Sequence, residues 1–339
     1  MGIAEGTDQP TAIELMNMLR IRGGAGWVQR VNDTSLDAQV ASTDSVDRSV
    51  GKGDAAGGHA GVVGHPDTMS PVGIPIESVP MGVWLFPDTD APQMVDAVVA
   101  AEQAGFDEVW IADEGPMRDP AVVLAAAAMR TSRIRLGVGI VSVVLHHPGA
   151  LAATWKTIDE LAPGRAMLGI GLGGHLSLEP FGLAFERPVA VMRDAIRTIR
   201  AVCAGTEAPG YLPMAHAAPP RSVPVFVASK GEQINGLAAR EADGVFLSGF
   251  ALDRLAEPVR WARTGDRRVS VALYASVRFR PTDVEDPTSL SGSPEQIAEG
   301  LARLCEAHEP DVLGLALVDG DRSNESVERA SAVLRLLRG

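Results

Sequence analysis

Beginning at Met81, the chain alternates eight times between a short apolar run and a longer segment of helical spacing. The apolar runs cover 81–86, 107–113, 133–143, 165–172, 223–229, 243–249, 268–276 and 312–319. The helical segments cover 92–105, 119–131, 148–162, 188–205, 232–242, 252–263, 293–307 and 324–339. Local chemistry supports the boundaries. Gly105 stands where the first helix needs a left-handed cap, and Asp119-Pro120 offers the second an N-cap and a preset first turn. Strands this uniformly apolar are buried on both faces, as in a parallel sheet covered by helices. Eight such units in about 260 residues predict a closed (β/α)8 TIM-type barrel. An open doubly wound sheet is the alternative, and it usually has fewer strands.

Residues 1–80 differ in kind. They hold a single aromatic, Trp27, and stretches such as DSVDRSVGKGDAAGGHAGVVGHPD. Such a segment buries too little apolar area to offset an ordering entropy of roughly 1–2 kcal/mol per residue. The expectation is a disordered or loosely packed extension, with Thr11–Ile21 as a short amphipathic helix, ahead of a barrel domain at 81–339. Met81 is a candidate natural start, testable by intact mass of the native protein.

A net charge of −13 argues against a nucleic-acid partner, which calls for a basic face. No run approaches the ~18 apolar residues of a membrane span. The opening MGIAEGTDQP lacks the charged-then-apolar pattern of a secretory leader, so cytoplasm is the expected location. Cys203 and Cys305 lie in separate helical segments, and a pair of plain thiols in a reducing compartment is the expectation.

Gly169-Ile-Gly171-Leu-Gly173-Gly174 matches a dinucleotide fingerprint, but it follows the fourth strand. The residues after it, HLSLEPFG, are expected not to open a helix at once. Its better reading is glycine that lets backbone approach a ligand closely at a barrel mouth. In such barrels the active site is built from strand C-terminal ends. Here those ends are Phe86, Asp113-Glu114, Val141 to His146, Gly171 to His175, Ser229 to Gly231, Ser248-Gly249, Tyr274-Ala275 and Val318-Asp319. His146 and His147 are adjacent and point oppositely in an extended segment, and no H-E-x-x-H occurs, so no metal is expected. VASKGEQ (227–233) ends a strand and starts a helix, where free N–H groups, the helix dipole and Lys230 suit a phosphate. Glycine-lined backbone, apolar walls and an anion site suit a cofactor that carries the chemistry itself.

The stretches AEQAGFDEVWIADE (101–114), RIRLGVGIVSVVLHHP (133–148), TIDELAPGRAMLGIGLGG (157–174), RPVAVMRDAI (187–196), ASKGEQINGLAAREADGVFLSG (228–249) and GSPEQIAEGLARL (292–304) resemble the luciferase-like superfamily. The similarity is greatest to actinobacterial oxidoreductases dependent on the deazaflavin F420 and to methylenetetrahydromethanopterin reductases. The resemblance implies a non-proline cis peptide at Gly139-Ile140, against the cofactor ring. It implies a cofactor wall at Gly171, Gly173, Gly174 and His175, and a phosphate segment at Ser229, Lys230 and Gly231. Phe86, Asp113 and His146 complete the expected cofactor-binding set, with Glu114 and His175 as candidates for acid–base work.

This chain also departs from the family. Several members follow the strand-two aspartate with histidine, where this chain has Glu114, and sugar-phosphate dehydrogenases place glutamate where it has Gly174. A sugar-phosphate substrate is therefore not expected. The helical insertion many members carry after strand seven is absent, with only Arg280–Ser291 in its place. Arg165, before strand four, is expected to be a structural ion-pairing residue. The resemblance implies F420-dependent hydride transfer on a small organic substrate, with a homodimer as one option. An FMN-dependent monooxygenase and a non-catalytic flavin-binding protein are the alternatives.

Overall fold

The computed structural model describes residues 75–279, 286–318 and 323–339. The expectations for residues 1–74, including the Thr11–Ile21 helix, fall outside the described residues, as does Asp319. Within them, eight parallel strands close into a barrel: β1 (Met81–Leu85), β2 (Glu108–Ile111), β3 (Arg135–Ser142), β4 (Ala166–Gly171), β5 (Val225–Val227), β6 (Gly244–Ser248), β7 (Ser270–Arg278) and β9 (Val312–Leu317). Each pairs with the next in that order, and β9 closes back onto β1 through Met81–Leu313 to Leu85–Leu317. A short β8 (Ser289–Ser291) pairs alongside the last three residues of β7.

The surrounding helices are α1 (Ala91–Ala104), α2 (Pro120–Ala128), α3 (Pro148–Leu161), α5 (Pro188–Ala204), α6 (Glu232–Glu241), α7 (Ala256–Ala262), α8 (Pro294–His308) and α9 (Ser323–Arg338). Their ends follow the sequence signals. Gly105 caps α1 at φ 97°, Asp119 accepts from Ala121 and Val122 N–H, and Ser293 with Gln296 forms a capping box on α8. No described helix is long and apolar enough to cross a membrane.

Two findings correct the sequence reading. A helical turn, α4 (His175–Leu178), does follow the glycine motif directly, closed by Ser177 and Leu178 N–H donating to the Gly174 carbonyl. Pro180 falls after this turn and so does not prevent it. Arg165 makes no salt bridge within 4 Å to a carboxylate among the described residues, although the Glu102 charge acts on it. Its guanidinium donates to the Ala128, Thr131 and Ile134 carbonyls and to Thr131 Oγ1, tying the α2–β3 connection to the start of β4. Cys203 and Cys305 are free and buried.

Outward-facing Val, Ile and Leu of the strands pack beneath the helices, while Trp110, Met167, Phe226, Phe246, Ala272, Tyr274 and Val312 fill the interior. Trp110 meets Phe226 and Phe246 edge-on at 5.2 and 5.0 Å, and Phe246 stacks on Tyr274 at 4.7 Å. Glycine makes room for these rings: a Cβ on Gly137 would lie 2.5 Å from Trp110. At the barrel's lower end the buried Glu108 accepts from Trp110 Nε1 and from the Tyr274 hydroxyl, each at 2.7 Å, and pairs with Arg135 at 2.6 Å. This network closes the barrel from below and holds Trp110 in place under the mouth.

Candidate active site at the barrel mouth

The third strand supplies the floor. Its register with β4 slips between Val138 and Val141, and the Gly139-Ile140 peptide inside the bulge is cis, as the resemblance implied. Trp84, inward-facing on β1, donates its indole N–H to the Gly139 carbonyl. Phe86 lies half-buried two residues on, its ring 6.0 Å from that of Trp84. Gly171 lies opposite the bulge, where a Cβ would sit 2.7 Å from Ile140 Cδ1. Gly173 is left-handed at φ 93°, and a Cβ there would fall 2.8 Å from Ser142 Oγ. That hydroxyl is buried, donating to the Leu172 carbonyl at 2.7 Å and accepting from Val144 and Leu145 N–H. Beside this crowded backbone Gly174 faces open space, with nothing within 4 Å of where its Cβ would be. His175 takes the first position of α4.

The end of β2 carries the titratable groups. Asp113 is 8% exposed, and its Oδ2 lies 3.2 Å from His146 Nε2. The Asp113 side chain, hydrogen-bonding first and through its charge as well, raises His146 above its ordinary value; Asp119 contributes further, and burial opposes them. The Asp113 backbone carbonyl accepts from Ser177 Oγ, which pins α4 over the β2 end. Glu114 is half-buried. Removal from water, and then the adjacent Asp113 charge, push its carboxyl up to about 7. Asp113 and His146 line a cleft of about 520 Å³ between α2 and α3, on the outer wall, and Glu114 does not. Glu114 follows Asp113 in the segment just beyond the end of β2.

The anion site forms where β5 runs into α6. Gly231 N–H donates to Ser229 Oγ at 3.1 Å. Asn235, fully buried in the first turns of α6, donates its amide to the Ser229 and Gly231 carbonyls at 3.1 and 2.9 Å, and its own Oδ1 has no partner. The loop is thereby clamped from beneath. Lys230 is exposed along its stem, but its ammonium donates to the Ser248 carbonyl and sits 4.2 Å over the Phe250 ring. Loss of water around that ammonium lowers it to about 8. Sequence reasoning missed Trp84, Asn235 and Phe250, and named Ser142 only within the strand-end span Val141 to His146. Of these only Trp84 carried a usable signal, since period-two alternation along MGVWLF turns it inward.

Known proteins are similar to this chain in sequence and in fold. The luciferase-like monooxygenase family model matches residues 78–285. The 5,10-methylenetetrahydromethanopterin reductase of Methanolobus tindarius is 28% identical over 209 residues, covering 57% of this chain and 64% of that protein. The F420-dependent glucose-6-phosphate dehydrogenase of Beutenbergia cavernae is 38% identical over 165 residues, 43% of this chain and 49% of that one. This chain thus spans about half to two thirds of the curated relatives it matches. Among solved structures, an F420-dependent secondary alcohol dehydrogenase in complex with an F420-acetone adduct superposes with a TM-score of 0.64 at 16% identity, over 77% of this chain and 99% of that one. With a model matched across more than half its length, this chain belongs to the luciferase-like monooxygenase family.

Proposed function

We propose that this chain is an F420-dependent oxidoreductase that transfers a hydride to or from a small organic substrate at the barrel mouth. The observation that carries the reading is the pairing of a glycine-walled bulge on β3 and β4 with an anion-binding helix start at α6, in a mouth that offers little acid–base chemistry of its own. Relatives named for F420 or for methylenetetrahydromethanopterin support the deazaflavin over FMN. The residues fit such a group. Gly171 and Gly173 let the β4 backbone lie close against Ile140 and Ser142, where a Cβ would collide, and Gly174 beside them faces open space that a planar group could use. Ser229, Lys230 and Gly231, held by Asn235, present an ammonium and helix-start N–H groups to a phosphate.

When bound, the deazaflavin supplies two-electron hydride chemistry that no side chain offers. The chain's own part is to exclude water and to manage one proton, since reduction of a carbonyl consumes a hydride and a proton together. Glu114, with its carboxyl at about 7, donates that proton in the reductive direction and accepts it in the oxidative one. His175 opens the turn beside Gly174 and is the second candidate for this role. A cytoplasmic homodimer belongs to the same reading. Fluorescence titration of the purified chain with F420 and with FMN tests it. Submicromolar F420 binding that weakens at least tenfold in Lys230→Ala is the expected result. Preference for FMN, or binding of neither, overturns it.

A further inference from the structure

A second cavity, of about 470 Å³, opens at the lower end of the barrel, where α5 ends and β5 and β6 begin. Val223 and Val225 give it apolar wall, the buried Cys203 lines it, and its charged groups are Arg200, Arg221 and Asp243. A hollow of this size with apolar walls and a few convergent polar groups has the form of a small-molecule site. The two guanidiniums are each held from one side only. Arg200 donates through Nε to the Glu241 carbonyl at 2.8 Å and through Nη2 to Asp243 at 3.0 Å. Arg221 donates through Nη1 to Asp159 at 2.9 Å and through Nε to Glu160 at 3.4 Å. Nη1 of Arg200 and Nη2 of Arg221 take no partner among the described residues, and the side chains are 40% and 30% exposed.

Backbone geometry sets the two arginines side by side. The Arg221 N–H donates to the Cys203 carbonyl at 2.9 Å, and Cys203 stands three residues after Arg200 in α5, so their bases lie within about one helical turn. Asp243 is already committed, with Oδ1 on Arg200 and Arg267 and Oδ2 accepting from the Val225 N–H. Nearby, the buried Lys156 ammonium donates to the Val202 and Ala218 carbonyls. Burial raises the Cys203 thiol; among the charges acting on it, Lys156 and Arg200 come ahead of Asp159 and Asp243. Cations thus lead the local field, on a chain whose net charge is −13.

We propose that this cavity is a second ligand site, for a small organic dianion whose carboxylate or phosphate groups take the free N–H groups of Arg200 and Arg221. Guanidinium forks match the geometry of both groups, and the valine walls suit a short carbon body. The site lies at the opposite end of the strands from Ser229 and Lys230 and is independent of the cofactor.

Isothermal titration of the full chain with succinate and with glycerol 3-phosphate tests it. One site per chain with a Kd below about 1 mM is expected for at least one probe, and the tighter probe identifies the preferred group. Arg200→Gln and Arg221→Gln should each weaken binding at least tenfold, while Lys230→Ala leaves it unchanged. Ala204→Phe, at the exposed end of α5, crowds the cavity without removing an ion pair and should give the same loss should the arginine variants fold poorly. The bound probe should also slow iodoacetamide labelling of Cys203 at least fivefold and leave that of Cys305 unaltered, read by peptide mass spectrometry. Binding of neither probe, binding lost in Lys230→Ala, or binding that survives the Arg200, Arg221 and Ala204 variants overturns the site.

Discussion

Replacing Glu114 with Gln separates the charge of this carboxyl from its shape. In the folded chain its carboxyl moves from 4.5 up to about 7, through burial first and the Asp113 charge second. The folded state therefore holds the proton more tightly than the unfolded chain does. Stability falls as pH rises from 4.5 through about 7, and the loss is complete above that. At ~1.4 kcal/mol per unit the shift corresponds to at most about 3.5 kcal/mol, and water reaching the half-buried side chain brings this nearer ~2 kcal/mol. Gln is neutral throughout, so the variant escapes this loss. Thermal midpoints of wild type and Glu114→Gln should nearly coincide at pH 5 and separate at pH 8.5, the variant melting about 4 °C higher. A gap of equal size at both pH values refutes the assignment of a raised carboxyl here. The catalytic counterpart runs in the opposite sense. Reduction of a carbonyl by the wild type should decline above pH 7, and the variant should be slower by ~10²-fold or more with that decline abolished.

Asp113→Asn removes the partner that raises His146 and one of the two causes that raise Glu114. Proton NMR of the His146 ring should show its midpoint falling back toward 6.5. The stabilisation this pair gives below pH 6.5, lost as pH rises through the raised folded value, should disappear with it. Gly173→Ala puts a Cβ at φ 93° and 2.8 Å from Ser142 Oγ, and should destabilise by ~1–2 kcal/mol, whereas Gly174→Ala, facing open space at an ordinary φ, should leave the thermal midpoint unchanged. Asn235→Ala removes the side-chain donor of the Ser229 carbonyl and leaves the Gly231 carbonyl with the residue-235 backbone N–H alone; a cost of ~1–3 kcal/mol in urea unfolding and a parallel loss of F420 affinity are expected.

Every barrel strand was legible as an apolar run, because a strand buried on both faces leaves no other pattern. Strand ends were less so. The run 223–229 shortens to Val225–Val227, since Pro224 has no N–H to give the ladder and only its carbonyl serves, accepting from Leu168. The run 268–276 becomes Ser270–Arg278 because its last residues pair with β8, a partner more than ten residues further along the chain. Long-range partners account for the other surprises. Nothing local to Glu108 announces Tyr274, 166 residues away, and nothing near Arg165 announces that carbonyls rather than carboxylates receive it. The glycine motif and the SKG helix start were legible for the opposite reason: close backbone approach and an anion site are written in contiguous residues.

Where the family resemblance implies histidine after the strand-two aspartate, this chain carries Glu114. By its proton affinity the exchange is small, since a carboxyl raised to about 7 titrates beside an imidazole at 6.5. By its charge it is large. A histidine at this point passes between cation and neutral, whereas Glu114 passes between neutral and anion, beside an Asp113 that lies 3.2 Å from His146 and raises it. An oxygen gaining negative charge is thus met by a neutral proton donor rather than by an imidazolium. Under the proposed reaction the carboxyl meets that charge by giving up a proton, and the proposed role of Lys230 at the cofactor phosphate already commits its ammonium.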